Sequence, residues 1–266
     1  MRTFVIAIVS TKGGQTKSTN AANIGAFCAE HGLKTLLIDT DVQPTLTSYY
    51  ELDYSAPGGL YELLINKITE PATIISKTVV KNLDLIQSND AGGIINQMLR
   101  NAPDGALRFR HLLSQIPGYD VIVIDTRGTR DITVDMSVLA SDVLFCPILP
   151  HILSAKEFIR GTVGMYQELQ TFTNFGLVLP PIKAVASCVD NTNDAKFVLK
   201  QLHDLFEKSF ESETTTLMDF IIPSRVAYRE AATYSLPVYK HSKVEYDVIK
   251  TICSVLMPQF AHKFEQ

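Results

Sequence analysis

Residues 5 to 19 read Val5-Ile-Ala-Ile-Val-Ser-Thr-Lys-Gly-Gly-Gln-Thr-Lys-Ser-Thr19. The apolar run from Val5 to Val9 has the length of a buried strand and ends in a loop that contains glycine. Apolar residues at helical spacing follow from Ala21 onward. In a strand–loop–helix unit, the loop amides and the helix N-terminus point at one spot, where they favour an anion. The stretch therefore predicts a phosphate-binding loop.

The polar residues of this loop have separate predicted roles. Lys17 is placed to reach the terminal phosphates of a nucleotide, and the Ser18 hydroxyl to bind Mg²⁺. A strand-to-helix turn that merely contains lysines is the simpler alternative. The residues predicted to bind nucleotide are Lys12, Gly13, Gly14, Gln15, Thr16, Lys17, Ser18 and Thr19.

The loop resembles the deviant Walker A motif K-G-G-x-G-K-S/T-T of the ParA/MinD family of ATPases. Lys12 corresponds to the second, signature lysine of that motif, and Thr16 stands where the family has glycine. Measured against the commoner pattern G-x-x-x-x-G-K-S/T, Thr11 also replaces a glycine. The resemblance implies that ATP and Mg²⁺ bind here.

Two aspartates follow a second predicted strand, Thr35 to Ile38. Open α/β sheets bind ligands at the carboxyl ends of their strands, where Asp39 and Asp41 would lie. The segment resembles the family's D-x-D-P-Q stretch, with Val42 in place of proline. That resemblance implies that Asp41 lies near the attacking water and is catalytic together with Lys12 and Lys17. A polar turn after a strand is the alternative.

A third motif, Asp120-Val-Ile-Val-Ile-Asp125-Thr-Arg-Gly-Thr129, places an aspartate at the end of a buried strand. A carboxylate on a rigid strand is what a Walker B acid needs to hold the water shell of Mg²⁺. The stretch resembles the family's hydrophobic run followed by D-T-P-P/A-G, from which Arg127 and Gly128 depart. The predicted metal site comprises Ser18, Asp39 and Asp125.

Composition and periodicity place these motifs in one α/β domain over residues 1–266. The chain is 46% hydrophobic, enough for a sizeable core. Strands alternate with helices, which predicts a single doubly wound, mostly parallel sheet with helices on both faces. Four scattered cysteines without a C-x-x-C pair, no signal peptide and no stretch of 18 apolar residues favour a cytoplasmic protein without membrane insertion.

Charge is distributed unevenly. The net charge of −4 argues against a general nucleic-acid binder, yet residues 225 to 263 hold six basic and three acidic residues. That segment therefore carries +3, and the rest of the chain −7. The candidate DNA-binding residues are Arg225, Arg229, Lys240, Lys243 and Lys250.

The resemblance implies a small ParA-type partition ATPase. Its ATP-bound homodimer would bind DNA without sequence preference and associate with the nucleoid. Lys12 of each subunit would reach the partner's phosphates. A DNA-binding, centromere-type partner protein would stimulate slow hydrolysis.

Three alternatives stay open. One is a MinD-like regulator that binds membranes through the amphipathic segment from Val244, although Pro258 interrupts it and burial against the body is the simpler account. Another is a nucleotide-binding scaffold with little turnover because of Thr16. Metabolic relatives that activate carboxylates or amines fit less well, because no further substrate motif is visible. Residues 190 to 194 either hold the base or ribose or form a plain turn and helix cap.

Overall fold

The strands join one sheet in the computed structural model, which describes residues 2–12, 14, 16–90, 92–210, 214–240 and 242–265. They are β1 (Phe4–Ile8), β2 (Thr35–Asp39), β3 (Leu52–Tyr54), β4 (Ser76–Thr78), β5 (Leu83–Ile86), β6 (Val121–Asp125), β7 (Val143–Ile148), β8 (Ile182–Val189) and β9 (Thr215–Pro223). Their order across the sheet is β3-β4-β5-β2-β6-β1-β7-β8-β9. The β3–β4 and β4–β5 pairings are antiparallel, and the other pairings among the described residues are parallel.

Helices connect the strands and cover the sheet. They are α1 (Lys17–Glu30), α2 (Leu60–Leu64), α3 (Pro71–Ile74), α4 (Ile94–Arg100), α5 (Gly105–Leu113), α6 (Ile132–Ala140), α7 (Ile152–Glu157), α8 (Gly164–Leu169), α9 (Asn193–Ser209), α10 (Val226–Thr233) and α11 (Lys243–Leu256). The first helix ends at Glu30, because Gly32 takes the left-handed conformation, φ +75°, just beyond it.

Alternating side chains of the central strands pack into two separate hydrophobic cores, one on each face of the sheet. Ile6 and Ile8 of β1 pack with α1 and α11 on one face, whereas Val5 and Ala7 pack on the other face with α5, α6 and α9. A strand buried on both faces reads as a continuous apolar run, which is why β1, β2 and β6 stand out in the sequence. The expected doubly wound sheet with helices on both faces is confirmed.

The alanine, leucine and isoleucine residues from Leu153 to Leu169 predict one long helix, which the structure corrects. The structure has α7, a π-helical turn over Phe158–Val163, and then α8. Gly161 lies in that turn against the phosphate loop, where a Cβ would collide with the Thr11 side chain. Single π-turns inside helices are common at functional sites, and this one packs directly on the predicted nucleotide loop.

Candidate nucleotide site

The carboxyl ends of the three motif-bearing strands are tied to one another. Thr126, just after β6, donates its hydroxyl to the Ile8 carbonyl of β1 at 2.7 Å. Thr40, just after β2, donates both its amide and its hydroxyl to the Asp125 carbonyl of β6, at 3.0 and 2.8 Å. Asp39 and Asp125 are directly opposite each other in the β2–β6 register. Parallel pairing and two buried threonines therefore bring the motifs to one edge of the sheet.

A cleft of about 440 Å³ opens at this edge. Its wall combines the phosphate loop, the loop after β2 and the loop after β6. The lining residues are Gly14, Thr16, Lys17, Ser18, Thr19, Asp41, Val42, Gln43, Thr45, Arg127, Gly128 and Thr129. Ligands of open α/β sheets bind in this position relative to the strands.

Lys17 brings a buried positive charge to the cleft. Its side chain belongs to the first turn of α1, the residue is 7% exposed, and its Nζ donates to the Lys12 carbonyl at 3.4 Å. Burial lowers the pKa of Lys17, while the nearby carboxylates of Asp125 and Asp41 act in the opposite direction. A buried cation beside helix amides is suited to the terminal phosphates of a nucleotide.

Asp125 is the most unusual acid of the site. It is fully buried, and neither carboxylate oxygen has a hydrogen-bond partner of regular geometry among the described residues. Burial, together with the neighbouring Asp39, raises the pKa of Asp125 to about 8, against opposing effects of the Ser18 hydroxyl and Lys17. An ionised, unsatisfied carboxylate is very costly in a protein interior. A divalent cation beside Ser18 would remove that cost, so the residues fit Mg²⁺.

Asp39 has its oxygens occupied differently. One oxygen accepts from the Thr47 amide at 2.8 Å, and the other from the Asp41 amide at 3.1 Å. Burial raises the pKa of Asp39 to about 6. The contacts fold the loop after β2 against the site, so within the described residues Asp39 orders that loop. Its predicted part in the metal site stays a prediction.

Asp41 lies at the surface of the cleft, as the water-positioning role requires. Its carboxylate accepts from the Gln43 amide at 3.1 Å, and its carbonyl accepts from the Ser88 hydroxyl at 2.6 Å. The backbone of this residue is therefore fixed while the carboxylate borders the cleft. Sequence reasoning did not name Gln43, Thr45 or Arg127 as site residues, although their positions directly after the motif aspartates could have indicated them.

Arg127 departs from the family motif and is anchored beside the cleft. Its guanidinium contacts Asp131 at 2.5 Å. Asp131 also caps α6, accepting from the Thr133 and Val134 amides. The loop after β6 thus gains a rigid, cap-linked cation where the family has proline.

Lys12 does not line the cleft itself, although its carbonyl accepts from Nζ of the cleft residue Lys17. Among the described residues, it borders a small adjoining pocket formed with Ser154 and Phe158. Its backbone exchanges hydrogen bonds with the Ser10 hydroxyl at 3.3 Å. The neighbouring Thr11 rests on the π-helical turn, with its hydroxyl 3.5 Å from that of Thr162. Gly13 and Gln15, also predicted to bind nucleotide, lie outside the described residues.

Thr16 takes the left-handed conformation, φ +59° and ψ 20°, at the N-cap of α1. This is the backbone region that favours glycine, which the family has here. Thr16 directs its hydroxyl to Ser187 Oγ, at 2.9 Å, and accepts from Asn20 Nδ2 at 3.0 Å. These protein contacts engage the Thr16 hydroxyl.

The candidate DNA-binding residues lie in one C-terminal segment, residues 225 to 250. Arg225 faces the buried Glu245 at 4.0 Å, and Lys240 pairs with Glu30. Within the part of the chain that the structure describes, no ion pair involves the other three, which are Arg229, Lys243 and Lys250.

Two further expectations concern the apolar stripe of α11 and the loop after β8. Ile252 and Leu256 of the predicted apolar stripe on α11 are buried in the core, whereas Val244 and Val255 are exposed. No helix among the described residues has the length and hydropathy needed to cross a bilayer. After β8, Asp190 accepts from Thr192, which caps α9. That loop has the geometry of a turn and helix cap.

Comparison with known proteins agrees with this site. The family model AAA_31, described as an AAA domain, matches residues 3–174, which include all three motifs. The chain belongs to this family. The resemblance to ParA/MinD-type P-loop ATPases is thereby confirmed.

Individual relatives extend over nearly the whole chain. An uncharacterized protein of Methanocaldococcus jannaschii is 32% identical over 245 residues, covering 89% of this chain and 90% of the relative. The chromosome-partitioning ATPase Soj of Treponema pallidum is 28% identical and covers 88% of each chain. A solved structure of a Cyanothece McdA variant in complex with ATP has a TM-score of 0.80 at 20% identity, covering 96% of each chain. This likeness shows a shared fold.

Proposed function

We propose that the protein is a ParA-type partition ATPase that binds MgATP in the cleft between the loops after β1, β2 and β6. The observation that carries this proposal is Asp125, a fully buried carboxylate without a regular hydrogen-bond partner, next to Ser18 and the buried Lys17. Three motifs that are far apart in sequence meet at this one point. The family membership supports an ATPase of the P-loop type.

Each residue has a stated task in the proposed reaction. Lys17 and the first amides of α1 bind the terminal phosphates, and Ser18 with Asp125 holds Mg²⁺ and its water shell. Bound Mg²⁺ supplies charge neutralisation on the phosphates. Asp41, at the cleft surface, orients the attacking water. Asp39 keeps the loop that carries Asp41 in place through its two backbone contacts.

The finer parts of the proposal concern assembly. ATP brings two subunits together, and Lys12 acts on the nucleotide of the partner. Lys12 lines a small neighbouring pocket rather than the cleft, and this supports the role. The closed dimer binds DNA without sequence preference and associates with the nucleoid. A DNA-binding centromere-type protein stimulates hydrolysis, and the dimer is then released from DNA. Plasmid or chromosome segregation requires such a cycle. Soj of Treponema pallidum carries the same type of function in its name.

The MinD-like alternative finds less support in the geometry. Two residues of the α11 stripe, Ile252 and Leu256, are buried in the core and cannot insert into lipid without unfolding the helix from the body. Flotation with lipid vesicles, with and without ATP, separates the two functions. Recovery of the protein with vesicles in an ATP-dependent manner would favour the membrane regulator.

Sizing the protein without nucleotide, with ADP and with MgATP tests the proposed assembly. Of these three conditions, we expect a dimer only with MgATP, and we expect DNA to bind to that dimer. The Lys12→Ala variant should dimerise about tenfold less well while its affinity for MgATP changes little, because its amine acts across the interface. Equal losses in both measurements, or no loss in either, would refute the role of Lys12 across the dimer.

A further inference from the structure

Thr16 occupies a strained position at the junction between the phosphate loop and α1. Its φ of +59° lies in the region that β-branched residues rarely adopt. No side-chain capping bond to the amides of α1 offsets this strain. The next residues, Lys17 and Ser18, are those proposed to bind phosphate and metal. A change in the Thr16 backbone would therefore move both groups.

Two buried polar side chains hold Thr16 in this conformation. Ser187, which is fully buried in β8, lies with its Oγ 2.9 Å from Thr16 Oγ1. Asn20, which is 2% exposed, donates from Nδ2 to both the hydroxyl and the carbonyl of Thr16, at 3.0 and 2.9 Å. Buried polar contacts of this kind rigidify the groups they join.

The strand that supplies Ser187 is itself distorted at this point. Cys188, the next residue, has a φ of +58°, and the β8–β9 register shifts between Ser187 and Val189. Such irregularities re-aim a side chain near functional sites. In the sheet, β7 lies between β8 and β1, so the contact spans a strand to reach the phosphate loop.

We propose that Ser187 is a positioning residue of the phosphate loop and acts through Thr16. The proposal rests on MgATP binding in the cleft, as argued above. The contact turns the Thr16 hydroxyl towards β8 and stabilises the left-handed junction that places Lys17 and Ser18. This chain thereby retains a threonine where a glycine would need no support. The positioning role of Ser187 depends on Thr16, because a glycine at position 16 would have no hydroxyl for Ser187 to contact.

A double-mutant cycle on MgATP affinity tests this coupling. Ser187→Ala should weaken binding about fivefold, the usual worth of one side-chain hydrogen bond. In the Thr16→Gly background, the same Ser187→Ala change should have no effect on affinity. In the Thr16→Ser background, which keeps the hydroxyl, it should again cost about fivefold. Thermal melts ensure that each variant is folded at the temperature of the assay.

Ser141→Ala is the matched control. This serine is 3% exposed and donates to the Ser137 carbonyl at the end of α6, at the opposite edge of the sheet. The control should lower the melting temperature without changing MgATP affinity. An unchanged affinity in Ser187→Ala, or an equal loss in the native and Thr16→Gly backgrounds, would overturn the positioning role. A native chain that binds no MgATP would instead refute the proposed function.

Discussion

The nucleotide cleft and the basic segment over residues 225 to 263 differ in how the protein holds its charges. In the cleft, Lys17, Asp39 and Asp125 are all at least nine-tenths buried, and hydrogen-bonded strand ends position the two aspartates. In the basic segment, Arg225, Arg229, Lys240 and Lys243 are exposed. The cleft therefore buries its charged groups, whereas the basic segment exposes its charged groups to solvent.

This difference decides how much each region reveals about function. Burying an ionisable group costs free energy unless a partner or ligand compensates, so the charges of the cleft point to a phosphate and a metal ion. An exposed lysine costs almost nothing and commonly serves solubility alone. The function proposed for the cleft is argued from its geometry, and that proposed for the basic segment depends on the family resemblance. The variants below test both conclusions.

Asp41→Ala should have the largest effect. Loss of the group that orients the attacking water is expected to reduce ATP turnover on the order of 100-fold. Binding of MgATP and dimerisation should persist, because Asp41 borders the cleft without anchoring the phosphates. Asp53→Ala, an exposed aspartate on the edge strand β3, is the control. Single-turnover hydrolysis at the native rate would rule out this role for Asp41.

Lys17→Ala should act on binding itself. A charge-assisted contact to phosphate is worth about 1.5–3 kcal/mol, so MgATP affinity should fall roughly 10- to 150-fold. Titration calorimetry measures the loss. Lys34→Ala, an exposed lysine at the opposite edge of the sheet, should bind MgATP normally. Undiminished affinity in Lys17→Ala would mean that the cleft is not the phosphate site.

Asp125→Asn should change how stability depends on pH in the absence of nucleotide and divalent metal. Because the pKa of Asp125 is raised to about 8, the folded state retains a proton that the unfolded state releases near pH 4. The free energy of unfolding therefore falls as pH rises between those values. The neutral amide removes this contribution. The native melting temperature should drop about 5 °C more than that of the variant between pH 5 and pH 8.

Melting curves in EDTA at several pH values provide the measurement. Asp39, whose pKa burial also raises, to about 6, is present in both proteins. Parallel pH dependences of the native protein and Asp125→Asn would show that the buried carboxylate carries no such cost. Added MgATP should reduce the difference, because a bound cation stabilises the ionised form.

Sequence patterns predicted the core of the fold and the position of the cleft. The strands β1, β2 and β6 are continuous apolar runs that end in motif residues, and their predicted limits agree with the structure to within a residue or so. Fully buried strands leave this signal because both of their faces need apolar side chains. The convergence of Lys17, Asp41 and the loop after Asp125 then follows from parallel pairing.

Other features depend on contacts that a sequence pattern does not carry. No strand was predicted for β9, since its first half, from Thr215, mixes polar and apolar residues at partial exposure. No strand was predicted for β3 or β4, each of three residues, nor a helix for α6. The contact between Thr16 and Ser187 joins residues 171 positions apart, and nothing in the sequence indicated it.

The smallest effects are expected from single basic residues of the C-terminal segment. A plot of log affinity against log salt concentration has a negative slope, and removing one phosphate contact should make it shallower by about 0.9. DNA binding should weaken a few-fold at moderate salt. Arg229→Ala and Lys243→Ala should show this change. Arg225→Ala and Lys240→Ala should show less, because Glu245 and Glu30 already neutralise part of their charge. The segment thus supplies its own matched pairs.

Binding of DNA by the native protein should require MgATP and weaken steeply between about 50 and 200 mM salt. Equal affinity with ADP and ATP would eliminate the switch, and four unchanged salt slopes would place DNA on another surface.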